Sequence, residues 1–492
     1  MMMIRKITII IRMALALAIS PLAGATDFTK GIIVVNESQY GQGSGSLNYL
    51  LPDDETDNWS YRVFRDANPG RELGGTSCYG AYHNGKLYIV SKLAKDPGSA
   101  VTGGILTVMN GSTLEWVGQI DALDPSGKRA CGRAFLGVDA SKGYVSSSNG
   151  IWVVNLSTLE VDGMIEGSEN PFGVDDKPVG DPTGALYFGQ CGTMIAAAGK
   201  VFAAHQSKGL LVIDPSTDEV VETLTMDFVG EDAGVGTLVK AKDGSIWASV
   251  TQNADGDGLM HNCLVRVDAE TLATSVVALP DGIYPPSSSW ASWSADTFCA
   301  SPTDNMLFWT GGASSWFANQ LVFNYDIDAD KFSMMIDFGD DDEGWKVCCP
   351  SLRVSPVDGR VYMTLFKDVV SRSYMVRSYD AAGRMLRDYP MERGYWFAGM
   401  MLFPEAELAG TDNIAVSDEV PEIEVAYSNG TLHVAVPGSW CAAGYDASVY
   451  SIAGECVATL DVRSEHVSAP LPLPGGVYVV VINGSASKFV VR

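Results

Sequence analysis

The sequence is poor in histidine and in basic residues. Only five histidines occur in 492 residues, and no two of them have the spacing of a metal-binding pair. A histidine-based metal site, or a nucleophile activated by histidine, is therefore not indicated. Lys and Arg number 33 against 59 Asp and Glu, a formal charge of −26. That balance disfavours binding to nucleic-acid phosphates, which requires basic patches.

Long apolar runs are missing beyond the N-terminus. There, three basic residues precede an apolar run that ends in Ala23-Gly24-Ala25, the pattern of a secretory signal peptide. We expect cleavage before Thr26, and hence an exported protein at the cell surface or in the extracellular space. No cysteine follows the run, so no lipid anchor is predicted. No later stretch reaches the ~18 apolar residues of a membrane-spanning helix.

Glycine, proline and aromatic residues are abundant. The chain has 52 Gly, 22 Pro and 10% aromatics, while only 19% of its residues are charged. This combination disfavours intrinsic disorder and long helical bundles. It predicts an all-β protein with many turns.

An internal repeat defines the architecture. Its clearest copy contains the three runs 85–91, 104–110 and 113–120, each rich in β-branched or aromatic residues and bounded by Gly, Asn or Thr. Six copies can be aligned on an aromatic residue, and their spacing of 45 to 61 residues is that of a propeller blade with loop insertions. The aligned aromatics are Tyr88, Tyr144, Phe202, Trp247, Phe308 and Tyr362.

The N-terminal segment supplies three strands of a seventh blade, the last of them predicted over 59–64. Its missing strand is predicted in Phe397–Phe403, so that pairing of the two chain ends closes the ring and removes its open edge. We therefore predict a seven-bladed β-propeller over residues 26–404. An acidic segment, 405–421, reads as a linker, and the alternating strands of 422–492 predict a small β-sandwich.

One face of the disc gathers the long connections. The connection after the second strand of a blade and the connection into its first strand lie on the same face, which we call the mouth face. The candidate ligand-binding residues of the second-strand connections are Tyr40, Lys92, Asn149, His205, Gln252, Trp316 and Lys367. Those of the connections into the blades are Arg71, Arg133, Gln190, Trp290, Trp293, Trp345, Tyr395 and Trp396.

Aromatic rings reward the burial of a flat ligand, so this cluster indicates a binding surface on a rigid scaffold. The alternative is that the rings merely fill the loops of a wide disc. No catalytic residue and no metal ligand is predicted, because the acidic stretches 255–258 and 340–343 do not match a complete calcium loop.

The run Leu211–Val221 resembles the repeat of YVTN-type propellers. The segments 31–37, 45–49, 71–74 and 395–404 resemble the surface propellers of gut anaerobes that capture cobalamin for an outer-membrane transporter. The resemblance covers residues 31–404. It implies a seven-bladed corrinoid-binding protein with such a transporter as a partner.

The C-terminal runs 449–455, 473–480 and 488–492 resemble a type IX secretion sorting domain. That resemblance implies passage across an outer membrane. The same strands would also suit a plain immunoglobulin-like accessory module.

The sequence thus predicts a binding protein, not an enzyme, that requires no cofactor and holds a bulky small molecule, with cobalamin as the named ligand. Two alternatives stay open. One is a propeller enzyme that uses a quinone or calcium cofactor, and the other is a surface scaffold that binds protein or glycan.

Overall fold

A computed structural model describes residues 27–39, 43–54, 58–95, 103–172, 188–252, 260–286, 298–315, 318–339, 341–368, 370–408, 423–428, 430–436, 446–451, 456–482 and 485–491. The predicted signal peptide lies outside these residues. Within them, regular structure is β-strand apart from two short helices.

The first half of the propeller contains fifteen strands and one helix. In chain order they are β1 (Ile32–Asn36), β2 (Ser46–Leu50), β3 (Trp59–Ser60), α1 (Val63–Ala67), β4 (Gly75–His83), β5 (Lys86–Leu93), β6 (Leu106–Asn110), β7 (Trp116–Ile120), β8 (Gly132–Gly137), β9 (Lys142–Ser147), β10 (Ile151–Asn155), β11 (Glu160–Met164), β12 (Cys191–Ala197), β13 (Lys200–His205), β14 (Gly209–Asp214) and β15 (Glu219–Leu224).

The second half continues in the same way. It contains β16 (Gly234–Lys240), β17 (Ile246–Thr251), β18 (Met260–Val267), β19 (Thr274–Ala278), β20 (Phe298–Ala300), β21 (Met306–Ser315), β22 (Ala318–Asp326), β23 (Lys331–Asp337), β24 (Lys346–Val354), β25 (Val361–Phe366), β26 (Tyr374–Tyr379), β27 (Met385–Pro390), β28 (Ala398–Leu402) and α2 (Pro404–Glu407).

These strands form seven antiparallel blades. Blade 1 has the strand order β28-β1-β2-β3, and blades 2 to 7 take the next strands four at a time, from β4–β7 to β24–β27. The ring closes where β1 pairs with β28, with Ile33 opposite Leu402 and Val34 opposite Met401. The predicted seven-bladed fold and its closure are confirmed.

Burial explains why the blade strands are so apolar. Leu210 to Ile213 of β14 are all fully buried, whereas the outer strand β15 has only exposed and half-buried positions. Inner strands are covered on both faces by the neighbouring blades, so they read as continuous hydrophobic runs. Seven hydrophobic clusters follow, one between each pair of adjacent blades.

The fourth strand of blade 1 differs from the prediction over 59–64. β3 stops at Ser60, Arg62 takes the left-handed conformation at φ 56°, and α1 follows. Val63 and Phe64 are then buried in the cluster between blades 1 and 2. The apolar pair that suggested a strand is instead the buried face of one helical turn.

Both ends of the propeller segment lie on the face opposite the mouth. Phe28 donates its backbone N–H to the Ser112 carbonyl at 2.9 Å, and Lys30 pairs with Glu405 of α2 at 3.6 Å. The connections on this face include tight turns capped by a side chain, as where Asp268 Oδ1 accepts the N–H groups of Glu270 and Thr271. The first and last described residues of the propeller therefore lie away from the mouth face.

The C-terminal part folds into two small sheets with a shared core. The strands are β29 (Glu424–Ser428), β30 (Thr431–Ala435), β31 (Asp446–Ser451), β32 (Cys456–Asp461), β33 (His466–Pro470), β34 (Gly476–Ile482) and β35 (Ser485–Val491). The sheets have the orders β29-β30-β33 and β32-β31-β34-β35, and their inward side chains form one hydrophobic cluster, which is a small β-sandwich.

In the part of the chain described here, no helix has the length and apolarity to span a membrane.

Candidate functional site

The predicted site residues divide into three groups. Tyr40, Trp290, Trp293 and Trp316 lie outside the described residues. Of the other eleven, some are joined to each other across blades, and some are held within their own loops. We describe them sector by sector around the mouth face.

Trp396 is a structural residue of the mouth. Its indole is 3% exposed and stacks on Tyr61, with ring centroids 5.3 Å apart. The Arg62 guanidinium covers the indole at 4.6 Å, and Nε1 donates to the Glu392 carbonyl at 2.8 Å. Trp396 thus joins the connection between β27 and β28 to the segment that follows β3 in blade 1.

The neighbouring predicted aromatics are also engaged. Tyr395 is half-buried and lies under the Arg372 guanidinium at 4.0 Å. Trp345 is 8% exposed and donates its Nε1–H to Glu343 at 3.0 Å. Lys367 lies over the Trp345 ring at 4.7 Å and pairs with Glu343 at 3.4 Å. We call Trp345, Tyr395, Trp396 and the residues that contact them the stacked sector.

The stacked sector brings loops from different blades together on one face. Ser38, in the second-strand connection of blade 1, donates its backbone N–H to the Trp396 carbonyl at 3.0 Å. Arg372, in the second-strand connection of blade 7, reaches Tyr395. Trp345 and Trp396 are therefore on the same side of the disc.

Glu37 and Lys92 form an ion pair near the channel. Lys92 Nζ lies 3.2 Å from Glu37 Oε2, and the two side chains are only 10% and 16% exposed. The pair joins the second-strand connection of blade 1 to the end of β5 in blade 2. Removing one partner of such a shielded pair would leave an uncompensated charge. We therefore expect the loss of either side chain to destabilise the contact between the two blades.

Arg133 and Gln190 meet between blades 3 and 4. Arg133 is 2% exposed and Gln190 is fully buried. The guanidinium donates from Nε to Gln190 Oε1 at 2.7 Å and from Nη1 to the Gly132 carbonyl at 2.9 Å, and its Nη2 also donates to Gln190 Oε1. This predicted pair is thus brought together at the mouth end of the innermost strands.

Gln206 completes this polar group and was not among the predicted site residues. It is fully buried, and its Oε1 accepts the Gln190 backbone N–H at 2.9 Å. Among the described residues, neither Gln190 Nε2 nor Gln206 Nε2 has a hydrogen-bond partner. A buried donor without an acceptor costs about 1–3 kcal/mol, so these two amides are a costly feature of the mouth.

His205 is held as a neutral ring. It is fully buried, its Nδ1 accepts the backbone N–H groups of Ser207 and Lys208, both at 3.2 Å, and its Nε2 lies 3.4 Å from the Glu169 carbonyl. Burial, with a smaller effect of Lys208, lowers the pKa of His205 to about 4. Both ring nitrogens are occupied, so His205 shapes the second-strand connection of blade 4.

Three other predicted residues do not converge on these groups. Asn149 is 5% exposed and donates to Asp124 at 3.1 Å. Arg71 lies over the outer-strand Trp116 ring at 3.4 Å. Gln252 is exposed and donates to the carbonyl of Met260 in its own connection at 3.2 Å.

Exposed aromatic rings occur elsewhere on the mouth face. Phe172, Phe228 and Tyr284 are 56%, 51% and 52% exposed, and they lie in the three successive connections that enter blades 4, 5 and 6. The sequence analysis did not select them, although each is an aromatic residue in a connection that enters a blade, as Trp290 and Trp345 are. We call these three rings, together with Gln190 and Gln206, the open sector.

A cavity opens at the other end of the channel, also unpredicted. Its volume is about 550 Å³, and its lining, mostly from the innermost strands, combines apolar side chains such as Tyr79, Phe135 and Met400 with polar groups. Arg353 pairs with Glu407 at its edge at 3.7 Å, and Lys240 donates to the Ala196 carbonyl at 3.0 Å. Among described residues, no cluster of three His, Cys, Asp or Glu side chains is arranged to hold a metal ion.

Fold and closure define a seven-bladed β-propeller with an elaborated mouth face. The chain belongs to a family described as a domain of unknown function (DUF5074), which matches residues 30–404. No curated protein matches the chain.

Two solved structures show weak similarity. A chain in the crystal structure of the mitotic checkpoint complex is 13% identical, with 66% of this chain and 82% of that chain covered and a TM-score of 0.40. The extracellular domain of a hybrid two-component system from B. thetaiotaomicron is 10% identical, with 86% of this chain and 55% of that chain covered and a TM-score of 0.33. Similarities this low carry no conclusion about function.

Proposed function

We propose that the mouth face binds a bulky small molecule with a flat apolar surface, and that this ligand is cobalamin or a related corrinoid. The observation that carries the binding proposal is the set of exposed rings at Phe172, Phe228 and Tyr284, in three adjacent blades. Large apolar side chains at a loop-built surface gain free energy when a ligand covers them, about 1.5–3 kcal/mol for a fully covered ring. The choice of a corrinoid rests on the resemblance of residues 31–404 to cobalamin-capturing propellers.

In this proposal the exported protein captures its ligand at the cell surface and delivers it to an outer-membrane transporter. The chain ends of the propeller lie on the face opposite the mouth. An attachment through the C-terminal β-sandwich would then leave the mouth open to the medium. Loops on a rigid scaffold are suited to capture because they tolerate variation without loss of the fold.

The test is gel filtration of the mature protein with cyanocobalamin, followed by the absorbance of the corrin ring. We expect co-elution with the wild-type protein and its loss in the triple variant Phe172→Ala, Phe228→Ala, Tyr284→Ala. A matched control is Val221→Ala, Val276→Ala, Met334→Ala, which removes side chains of 51%, 48% and 53% exposure from the outer strands of the same blades. Absence of co-elution with the wild-type protein, or equal loss in both triple variants, would contradict the proposal.

A further inference from the structure

The two glutamines of the open sector are anchored through their oxygens. Gln190 Oε1 accepts two hydrogen bonds from the Arg133 guanidinium, and Gln206 Oε1 accepts the Gln190 N–H. An amide turned the other way would set an NH₂ group against another donor in each case. The network therefore fixes both Nε2 groups on the side away from these donors.

Both NH₂ groups are buried donors without an acceptor. The two side chains are fully buried, and no described residue accepts a hydrogen bond from either Nε2. Buried polar groups in folded proteins almost always have a partner, and an exception calls for an explanation such as a ligand or an unseen water. Sixteen buried side-chain atoms of the described residues lack a partner. These two belong to residues whose backbones are hydrogen-bonded at the mouth end of the paired strands β12 and β13.

The surrounding blades hold Gln206 in place. Its backbone N–H donates to the Gln190 carbonyl at 3.0 Å, and its own carbonyl accepts the Thr251 hydroxyl of blade 5 at 3.2 Å. Gly234 of blade 5 comes so close that a Cβ there would lie 1.8 Å from the Gln206 carbonyl oxygen. Gln206 is thus clamped between the innermost strands of two blades, which preorganises its NH₂ group.

We propose that Gln190 Nε2 and Gln206 Nε2 together bind a carbonyl-type oxygen, of an amide or a carboxylate, that belongs to the small molecule held at the mouth. The proposal rests on the proposed function, since it names the chemical group of the ligand that enters the polar end of the open sector. The nearby Arg133 guanidinium adds a favourable potential for the partial or full negative charge of such an oxygen.

The direct test is calorimetric titration of cyanocobalamin, which carries primary-amide side chains, into the Gln206→Glu and Gln190→Glu variants. Each substitution keeps the oxygen that anchors the network and replaces the NH₂ donors by an acceptor. We expect affinity near neutral pH to fall by about tenfold or more, and to recover partly at acid pH, where the introduced carboxyl group can donate a proton. The control is Gln119→Glu, since Gln119 Nε2 already donates to Asp121 at 2.7 Å. Equal affinity of all three variants and the wild-type protein would overturn the proposal.

A second readout separates this inference from the identity of the ligand. In the ¹⁵N-labelled protein, the side-chain NH₂ signals of Gln190 and Gln206, assigned by their absence in the two variants, are followed during addition of propionamide or acetate. Selective shifts of these two signals, with Gln119 unmoved, support the inference even if cyanocobalamin does not bind. Shifts with propionamide alone identify an amide, and shifts with acetate alone identify a carboxylate. No response to either probe, together with water-like exchange of both NH₂ groups, would mean that they hold water only and would overturn the inference.

Discussion

The stacked and open sectors of the mouth face both contain aromatic side chains, but they differ in how far other residues cover those rings. In the stacked sector, each described predicted ring contacts a cation, and Trp345 and Trp396 also donate their indole N–H groups. In the open sector, three rings are half exposed and two buried amides lack acceptors. The comparison teaches that aromatic residues in loops do not by themselves mark a binding surface, because partners from distant parts of the chain can cover their rings.

The largest expected effect is on the stability of the stacked sector. Trp396→Ala should lower the free energy of unfolding by about 3–5 kcal/mol, because it removes a buried ring from a packed stack. Phe228→Ala in the open sector should change it by no more than about 0.5 kcal/mol, as is usual for exposed positions. Urea denaturation followed by tryptophan fluorescence measures both. A small loss for Trp396→Ala would break the distinction between the sectors.

A second, smaller effect concerns pH and the loop that carries Gln206. The pKa of His205 is lowered to about 4 in the folded protein, first by burial, whereas the unfolded chain takes up the proton near its ordinary value of about 6.5. The stability that depends on neutral His205 is therefore fully present above about pH 6.5 and is lost as the pH falls towards 4.

This linkage predicts a loss on the order of 3 kcal/mol between about pH 7 and pH 4 from this residue. The loss should be absent in His205→Asn, whose side-chain oxygen can replace Nδ1 as an acceptor. Urea denaturation of both proteins at several pH values measures the difference. Parallel pH profiles would show that His205 is not held neutral, and the rigidity assigned to the open sector would lose its support.

The smallest expected effect is that of the Lys367 cation in the stacked sector. Lys367→Ala removes an ion pair whose side chains are 33% and 70% exposed, so solvent screening limits its worth to about 1 kcal/mol or less, even with the contact to Trp345 included. Thermal unfolding, with Lys331→Ala on the opposite face as the control, measures this difference. A loss of several kcal/mol would mean that electrostatics, and not ring burial, stabilises the stacked sector.

The fold could be predicted because its physical signal is local and repeated. Strands covered on both faces must be apolar along their whole length, and β14 shows this pattern in consecutive residues. Ring closure could be predicted because the repeat left one unpaired strand at each end of the propeller segment, and these two strands pair as β1 and β28. The helix α1 escaped prediction because Val63 and Phe64 are an apolar pair that suits either a strand or one helical turn.

The site could be predicted only in part, because exposure in a loop depends on distant partners. Nothing near Trp396 in the sequence shows that Arg62, which pairs with Glu392 from 330 positions away, will cover its ring. The contact between Arg133 and Gln190 joins two predicted residues. Both lie at the start of an innermost strand, Arg133 in β8 and Gln190 directly before β12, and such starts meet at the centre of the mouth face. The sequence does not show that the Nε2 group of Gln206 is buried without an acceptor, because this depends on the hydrogen bond from the Gln190 backbone N–H to Gln206 Oε1.

The most direct test compares one residue from each sector by calorimetric titration with cyanocobalamin. The account predicts that Phe228→Ala weakens binding by about 10- to 100-fold, because a covered ring is lost. It predicts a change below about threefold for Tyr395→Ala, whose ring is already held against Arg372. Weaker binding in Tyr395→Ala than in Phe228→Ala would contradict the assignment of the ligand to the open sector.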